Sequence, residues 1–166
     1  MVEKPMPPWY PLLGNYELTI DDKGRLLIPA DIRKRFEAGG ESDELILMNI
    51  SGRAHLYPAR YQLARFATIK MGIVPTPEQQ RLMLGLFGRS SRLNWDKAGR
   101  ILLSPRLLET FRLKRDEAIT LVCIGDHMQL WPAGEWEADQ GPLSEEMPDL
   151  ISQLGSGLGP GLTTGE

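Results

Sequence analysis

With a single cysteine and only two histidines in 166 residues, the chain lacks the raw material of several protein classes. Cys123 has no intrachain disulfide partner; within Leu121-Val122-Cys123-Ile124 it reads as a small buried hydrophobe in a strand, and a reducing cytoplasm is the simplest compartment. His55 and His127 have neither metal-ligand spacing nor a neighbouring nucleophile motif, and each falls near a strand turn as an ordinary surface residue. A phosphate-binding Gly-rich loop is also missing. No metal, cofactor or small-molecule substrate is therefore expected, and no catalytic residue. No apolar run approaches the roughly 20 residues of a membrane helix, and the first residues lack the charge-plus-apolar pattern of a secretory leader, so no membrane partner is expected.

One more scarcity is local. Residues 133–166 contain no Lys or Arg but seven acids: Glu135, Glu137, Asp139, Glu145, Glu146, Asp149 and Glu166. The formal charge of -3 therefore hides a body of 19 basic and 15 acidic residues, net +4, ahead of an acidic tail. A body of that sign suits a phosphate partner, and the tail would stay away from it.

What the chain does have is an internal repeat. Asp21-Asp22-Lys23-Gly24-Arg25-Leu26-Leu27-Ile28-Pro29 returns as Asp96-Lys97-Ala98-Gly99-Arg100-Ile101-Leu102-Leu103-Ser104-Pro105, with Asp21 to Asp96 and Arg25 to Arg100 both 75 positions apart. Downstream, Asp43 to Met48 matches Glu117 to Val122, and His55-Leu56-Tyr57-Pro58 matches Gln129-Leu130-Trp131-Pro132. Such self-similarity predicts a pseudo-two-fold molecule with one basic strand–turn–strand from each half. Copies of about 45 residues are near the lower limit for folding alone, so they are expected to share a core.

The elements follow from pattern. Tyr16 to Ile20 alternates as a strand; Asp22-Lys23-Gly24 turns the chain, and Arg25 to Ile28 is the returning strand. Pro29 is expected in the first turn of a helix through Phe36, and Ser104-Pro105 opens its counterpart as N-cap and first helical residue. Each copy ends in a strand pair, Glu44–Met48 with Ala54–Tyr57 and Ile119–Ile124 with Met128–Trp131. Between them, Ala59 to Met71 and a capped segment from Thr76 to Gly88 read as helices, the second with a Leu82, Met83, Leu86, Phe87 stripe suited to core or subunit contact. The expected organisation is a Pro-rich extension at 1–13, extended or disordered with Trp9 and Tyr10 docking on the body. Repeats occupy 14–61 and 89–136, a helical spacer 62–88, and an acidic, Gly-rich disordered tail 137–166.

Gly14 to Arg25, followed by Ile28-Pro29-Ala30 and Arg33, resembles the start of MraZ proteins, and so do the duplicated Asp-x-x-x-Arg, the Leu-Tyr-Pro and Leu-Trp-Pro endings and the helical spacer. The resemblance covers about Gly14 to Trp136. It implies an α+β, mostly β fold of two tandem AbrB/SpoVT-like swapped-hairpin β-barrel halves, an intrachain pseudo-dimer. It also implies ring-like homo-oligomers and a bacterial transcriptional regulator, nucleoid-associated, that binds double-stranded DNA at short direct repeats upstream of the division and cell-wall gene cluster. Copy two departs by carrying Ser104-Pro105 where copy one has Pro29-Ala30, and the first 13 residues and the tail exceed the compact family form.

Residue chemistry gives the candidate site. Arg25 and Arg100 are assigned to base or phosphate contact, Lys23 and Lys97 to phosphate, with Arg33 as a secondary phosphate contact on a basic helix run with Lys34 and Arg35. Asp21 and Asp96 are assigned to orienting the arginines or bracing turns that Gly24 and Gly99 permit, since a carboxylate facing phosphate repels it. An Asp-x-x-x-Arg pair across a turn is equally an ordinary surface ion pair, and Arg33 to Arg35 an ordinary solvated face. Two other classes stand beside this reading. An AbrB-type antitoxin or scaffold would bind a protein partner, and an enzyme would use the Asp/Arg pairs catalytically.

Overall fold

Alternating apolar and polar residues make Asn15–Thr19 a strand, β1, and after a turn Arg25–Leu27 forms β2. Pro29 then caps α1 (Ala30–Ala38), which buries Ile32 and Phe36 four residues apart on one face. Pro29 thus stands outside the helix, not in its first turn. Strands β3 (Glu44–Ile50) and β4 (Arg53–Pro58) are joined by Ser51-Gly52, both at positive φ. The spacer supplies α2 (Ala59–Phe66) and α3 (Pro77–Leu86), the latter opened by a Thr76/Gln79 capping box. Copy two repeats the series with β5 (Ser91–Asn94), β6 (Arg100–Leu102), α4 (Pro105–Thr110, with the Ser104 hydroxyl as N-cap), β7 (Ala118–Cys123) and β8 (Met128–Trp131).

The computed structural model describes residues 6–155 and divides into a body ending at Ala133 and a second unit beginning at Gly134. The architecture of the body is α+β, with two antiparallel sheets and four helices among the described residues. The larger sheet runs β1-β7-β8-β4-β3-β5; it is open, with β1 and β5 at its edges, and does not close into a barrel. Exchanging copy one for copy two leaves this order unchanged, so a pseudo-two-fold falls between β8 and β4. The copies are interleaved on both sides of it: β1 of copy one pairs with β7 of copy two from Asn15↔Val122 to Thr19↔Ala118, and β5 of copy two pairs with β3 of copy one. Nor does β2 return along β1. It pairs with β6 as Arg25↔Leu102, Leu26↔Ile101 and Leu27↔Arg100, a second sheet of two strands.

The cross-pairing explains why neither copy forms a core of its own. Ile20, Leu26, Ile28 and Phe36 from one copy and Ile101, Leu103, Ile119 and Leu121 from the other are at most 1% exposed in a single cluster. Burying such side chains contributes roughly 1.5–3 kcal/mol each, which a 45-residue copy could not assemble alone.

Residues 6–13 are bound to the body rather than disordered. Trp9 is 1% exposed and meets Phe36 and Tyr61 edge-on at 5.3 and 5.2 Å. Leu12 and Gly125 exchange backbone hydrogen bonds, while Arg35 Nη2 donates to the Trp9 carbonyl. The first five residues of the Pro-rich extension lie outside the described residues. In the second unit, Glu135–Gly155 forms one helix, α5, where the sequence reading expects disorder. Glu135 and Glu137 favour its start through the helix dipole, and Met147, Leu150, Ile151 and Leu154 follow helical spacing despite Pro142 and Pro148. The expected Gly-rich disorder beyond Gly155 lies outside the described residues.

Candidate nucleic-acid interface

Each Asp-x-x-x-Arg unit is a self-contained device. Asp21 Oδ1 accepts hydrogen bonds from the Lys23 and Arg25 amides at 2.9 and 2.8 Å, closing the turn, while Asp21 Oδ2 accepts from Arg25 Nε at 2.7 Å. Copy two builds the same geometry: Asp96 Oδ1 takes the Ala98 and Arg100 amides, and Oδ2 takes Arg100 Nε at 3.1 Å. The backbone N–H of each arginine, more than its side chain, holds the two carboxyls below the usual carboxylate range. Both aspartates therefore stay ionised.

A guanidinium held through Nε keeps a second edge free. Neither terminal nitrogen of Arg25 has a partner among the described residues, and Arg100 commits only Nη2 at 3.1 Å. The fork so presented fits a phosphate or the guanine O6/N7 edge. The β2–β6 register places both arginines on the outward face, because the directly paired Leu26 and Ile101 are fully buried on the other. Lys23 and Lys97 are exposed at the turn tips.

The two turns also grip each other. Leu103 N–H donates to the Gly24 carbonyl at 2.8 Å, and Ile28 N–H donates to the Gly99 carbonyl at 2.9 Å. Gly24 and Gly99 have φ of +82° and +86°, a region costly for side-chain-bearing residues. Arg33 does not lie free on the helix face. Its Nε donates to the Ile28 carbonyl, and its guanidinium lies where a Cβ on Gly99 would fall, 2.3 Å from Cζ. Around Gly24 that place is taken by the Leu103 carbonyl oxygen, with Leu108 and Arg115 in ordinary contact beyond it; the sequence alone gives no sign of Arg115 at this turn. Among the described residues Lys34 alone of the helix run has no partner, since Arg35 reaches Trp9.

Both histidines, read as surface residues, are buried. His55 Nδ1 and His127 Nε2 share a hydrogen bond of 2.9 Å; His127 Nδ1 meets Asp126 Oδ1 at 2.7 Å, and Asp126 Oδ2 accepts from Tyr61 and Arg65 of α2. Burial, then the neighbouring His127 and Arg53, pushes His55 down to about 4. Burial also lowers His127, against the pull of Asp126. Burial alone would raise Asp126, but its hydrogen bonds from His127 and Tyr61 hold it low. The cluster ties the spacer to the copy-two turn. Its signal in sequence was absent, because His55 and His127 meet only through the pairing of β4 with β8.

Among the described residues there is no group of three or more His, Cys, Asp or Glu placed to hold a metal, and no helix is long and apolar enough to cross a membrane. Burial pushes the Cys123 thiol up to about 11, so it is a poor nucleophile at neutral pH.

Residues 86–148 match the family model described as "MraZ protein, putative antitoxin-like". A transcriptional regulator MraZ from Chromobacterium violaceum is 33% identical over 83% of this chain and 93% of its own length. Proteins of the same name from Neisseria meningitidis and Herpetosiphon aurantiacus are each 29% identical over 86% of this chain, covering 94% and 95% of their own lengths. At that identity and coverage, the chain belongs to the MraZ family.

Proposed function

We propose that this chain is a sequence-specific DNA-binding transcriptional regulator and not an enzyme. The relatives' shared name supports regulation. One geometric observation carries the DNA reading: two arginines from two repeats, each held through Nε by its own aspartate, offer free donor edges on one outward face. In this reading Arg25 and Arg100 contact bases or phosphates, Lys23 and Lys97 contact phosphates, and Asp21, Asp96, Gly24 and Gly99 hold the turns. Arg33 supports the copy-two turn before it supports phosphate. The repeats at 14–61 and 89–136 act as swapped-hairpin halves of an intrachain pseudo-dimer; the exchanged partners of β1 and β5 favour this.

One such face makes few phosphate contacts. Useful affinity then needs several protomers on consecutive direct repeats, as a ring-like homo-oligomer would supply through effective concentration. We place the sites upstream of the division and cell-wall genes, the chain's own promoter included, and the protein in the cytoplasm with the nucleoid.

A salt titration tests this. Selective binding to the protein's own upstream DNA should weaken steeply as salt rises, because each neutralised phosphate releases counterions. Equal binding to unrelated DNA at every salt would favour an antitoxin or scaffold instead, a reading that the family description, the exposed Leu82 and Leu84 of α3 and the exposed Phe87 at its C-cap keep in play.

A further inference from the structure

The outward face of the β2–β6 ribbon has four side chains, and only two are basic. Directly paired residues of an antiparallel ladder point the same way, so Arg25 lies beside Leu102 and Leu27 beside Arg100. Leu27 is 46% exposed and Leu102 59%, while Leu26 and Ile101 between them are fully buried. Lone exposed leucines are common and need no explanation. These two are not independent, since they are 75 positions apart and occupy the same place in both repeats. Each copy puts an apolar side chain two residues after its arginine, on the side facing away from the core.

We propose that Leu27 and Leu102 are specificity-determining residues that contact thymine 5-methyl groups beside the DNA groups engaged by Arg25 and Arg100. This rests on the DNA-binding reading above. On the major-groove edge of a base pair the thymine methyl is the apolar feature, and arginine supplies the complementary contact to guanine. Spacing sets where the methyls lie. Residues two apart on a strand are about 6.6 Å from each other, close to two base-pair steps of 3.4 Å. Directly paired residues are about 5 Å apart at Cβ, or one to two steps. Thymines are therefore read within about two base pairs of each arginine contact. The pseudo-two-fold applies the same rule from both strands of the ribbon.

The test uses the intact protein and a duplex selected from a random pool, with each thymine replaced in turn by deoxyuridine. Wild type should lose about fourfold in affinity at one or two positions, the effect of one buried methyl group. Leu27→Ser or Leu102→Ser should weaken binding to the thymine duplex similarly and erase the matching uracil effect. Circular dichroism checks that these exposed positions leave the fold intact. Selective binding indifferent to uracil at every position overturns the leucine assignment alone. A full thymine preference in both serine variants overturns it as well, and a change in sedimentation there identifies a second copy as the face's partner. A protein with no sequence selectivity overturns the DNA reading and this inference together.

Discussion

Arg33 closes over Gly99. Its guanidinium Cζ lies 2.3 Å from where a Cβ on Gly99 would be, and the same side chain donates to the Ile28 carbonyl at 2.9 Å. At Gly24 the obstacle is backbone instead, the Leu103 carbonyl oxygen at 2.7 Å. A flexible arginine end can move aside; a ladder carbonyl cannot. Gly24→Ala should therefore cost more than Gly99→Ala, each paying about 1–3 kcal/mol for positive φ and Gly24 the clash in addition. Urea midpoints of the two variants give the order; equal midpoints contradict it.

Asp21 offers a test in which charge and geometry predict opposite signs. Removing an acid near DNA should raise affinity by Coulomb's law alone. If Asp21 aims Arg25, Asp21→Ala frees the guanidinium and lowers affinity for specific DNA. Binding isotherms of Asp21→Ala and Asp96→Ala decide it, with a fall expected in both and a rise contradicting the orienting role.

Acid should destabilise the body through the His55–His127 pair. The His55 pKa falls from its ordinary 6.5 to about 4 on folding, so the unfolded chain takes up the proton first. Stability is then fully present above pH 6.5 and is lost as pH falls towards 4. His55→Gln, the residue that copy two carries at the matching position 129, should flatten that loss in part, since His127 is also lowered. Denaturant midpoints at pH 7.5, 6 and 5 measure the slope; a flat profile in wild type contradicts the burial account.

Trp9 should prove part of the core despite its place in the Pro-rich extension. At 1% exposure between Phe36 and Tyr61, Trp9→Ala is expected to cost about 3–5 kcal/mol. Its indole N–H has no hydrogen-bond partner among the described residues, so Trp9→Phe forfeits none of their bonds and should cost far less. Thermal melts compare the two. Similar melting temperatures for wild type and Trp9→Ala contradict the docking.

The sequence was most informative where its signals were local. The Thr76 box, the Ser104 cap with Pro105 and the Ile32/Phe36 spacing each depend on residues within a turn or two of one another, and each lies in a helix. Strand partners depend on distant residues. That β2 would leave β1 and pair with β6 is invisible in the Asp22-Lys23-Gly24 turn, whose chemistry suits an ordinary hairpin equally well. Arg33 and Arg35 failed as a solvated run for the same reason, since Gly99 and Trp9 reach them only through tertiary packing. The α5 helix is hidden because the acidic, Gly-rich composition of 137–166 reads as disorder, although Met147, Leu150, Ile151 and Leu154 follow helical spacing.

The central claim is that two aspartate-held arginines, one from each repeat, form a single reading face. Competition binding between the protein's upstream DNA and a scrambled duplex tests it most directly, with wild type, Arg25→Ala, Arg100→Ala and the double variant side by side. Each single variant should lose selectivity, and the double variant should treat both duplexes alike while keeping its fold. A folded double variant that still prefers the upstream DNA as strongly as wild type contradicts it.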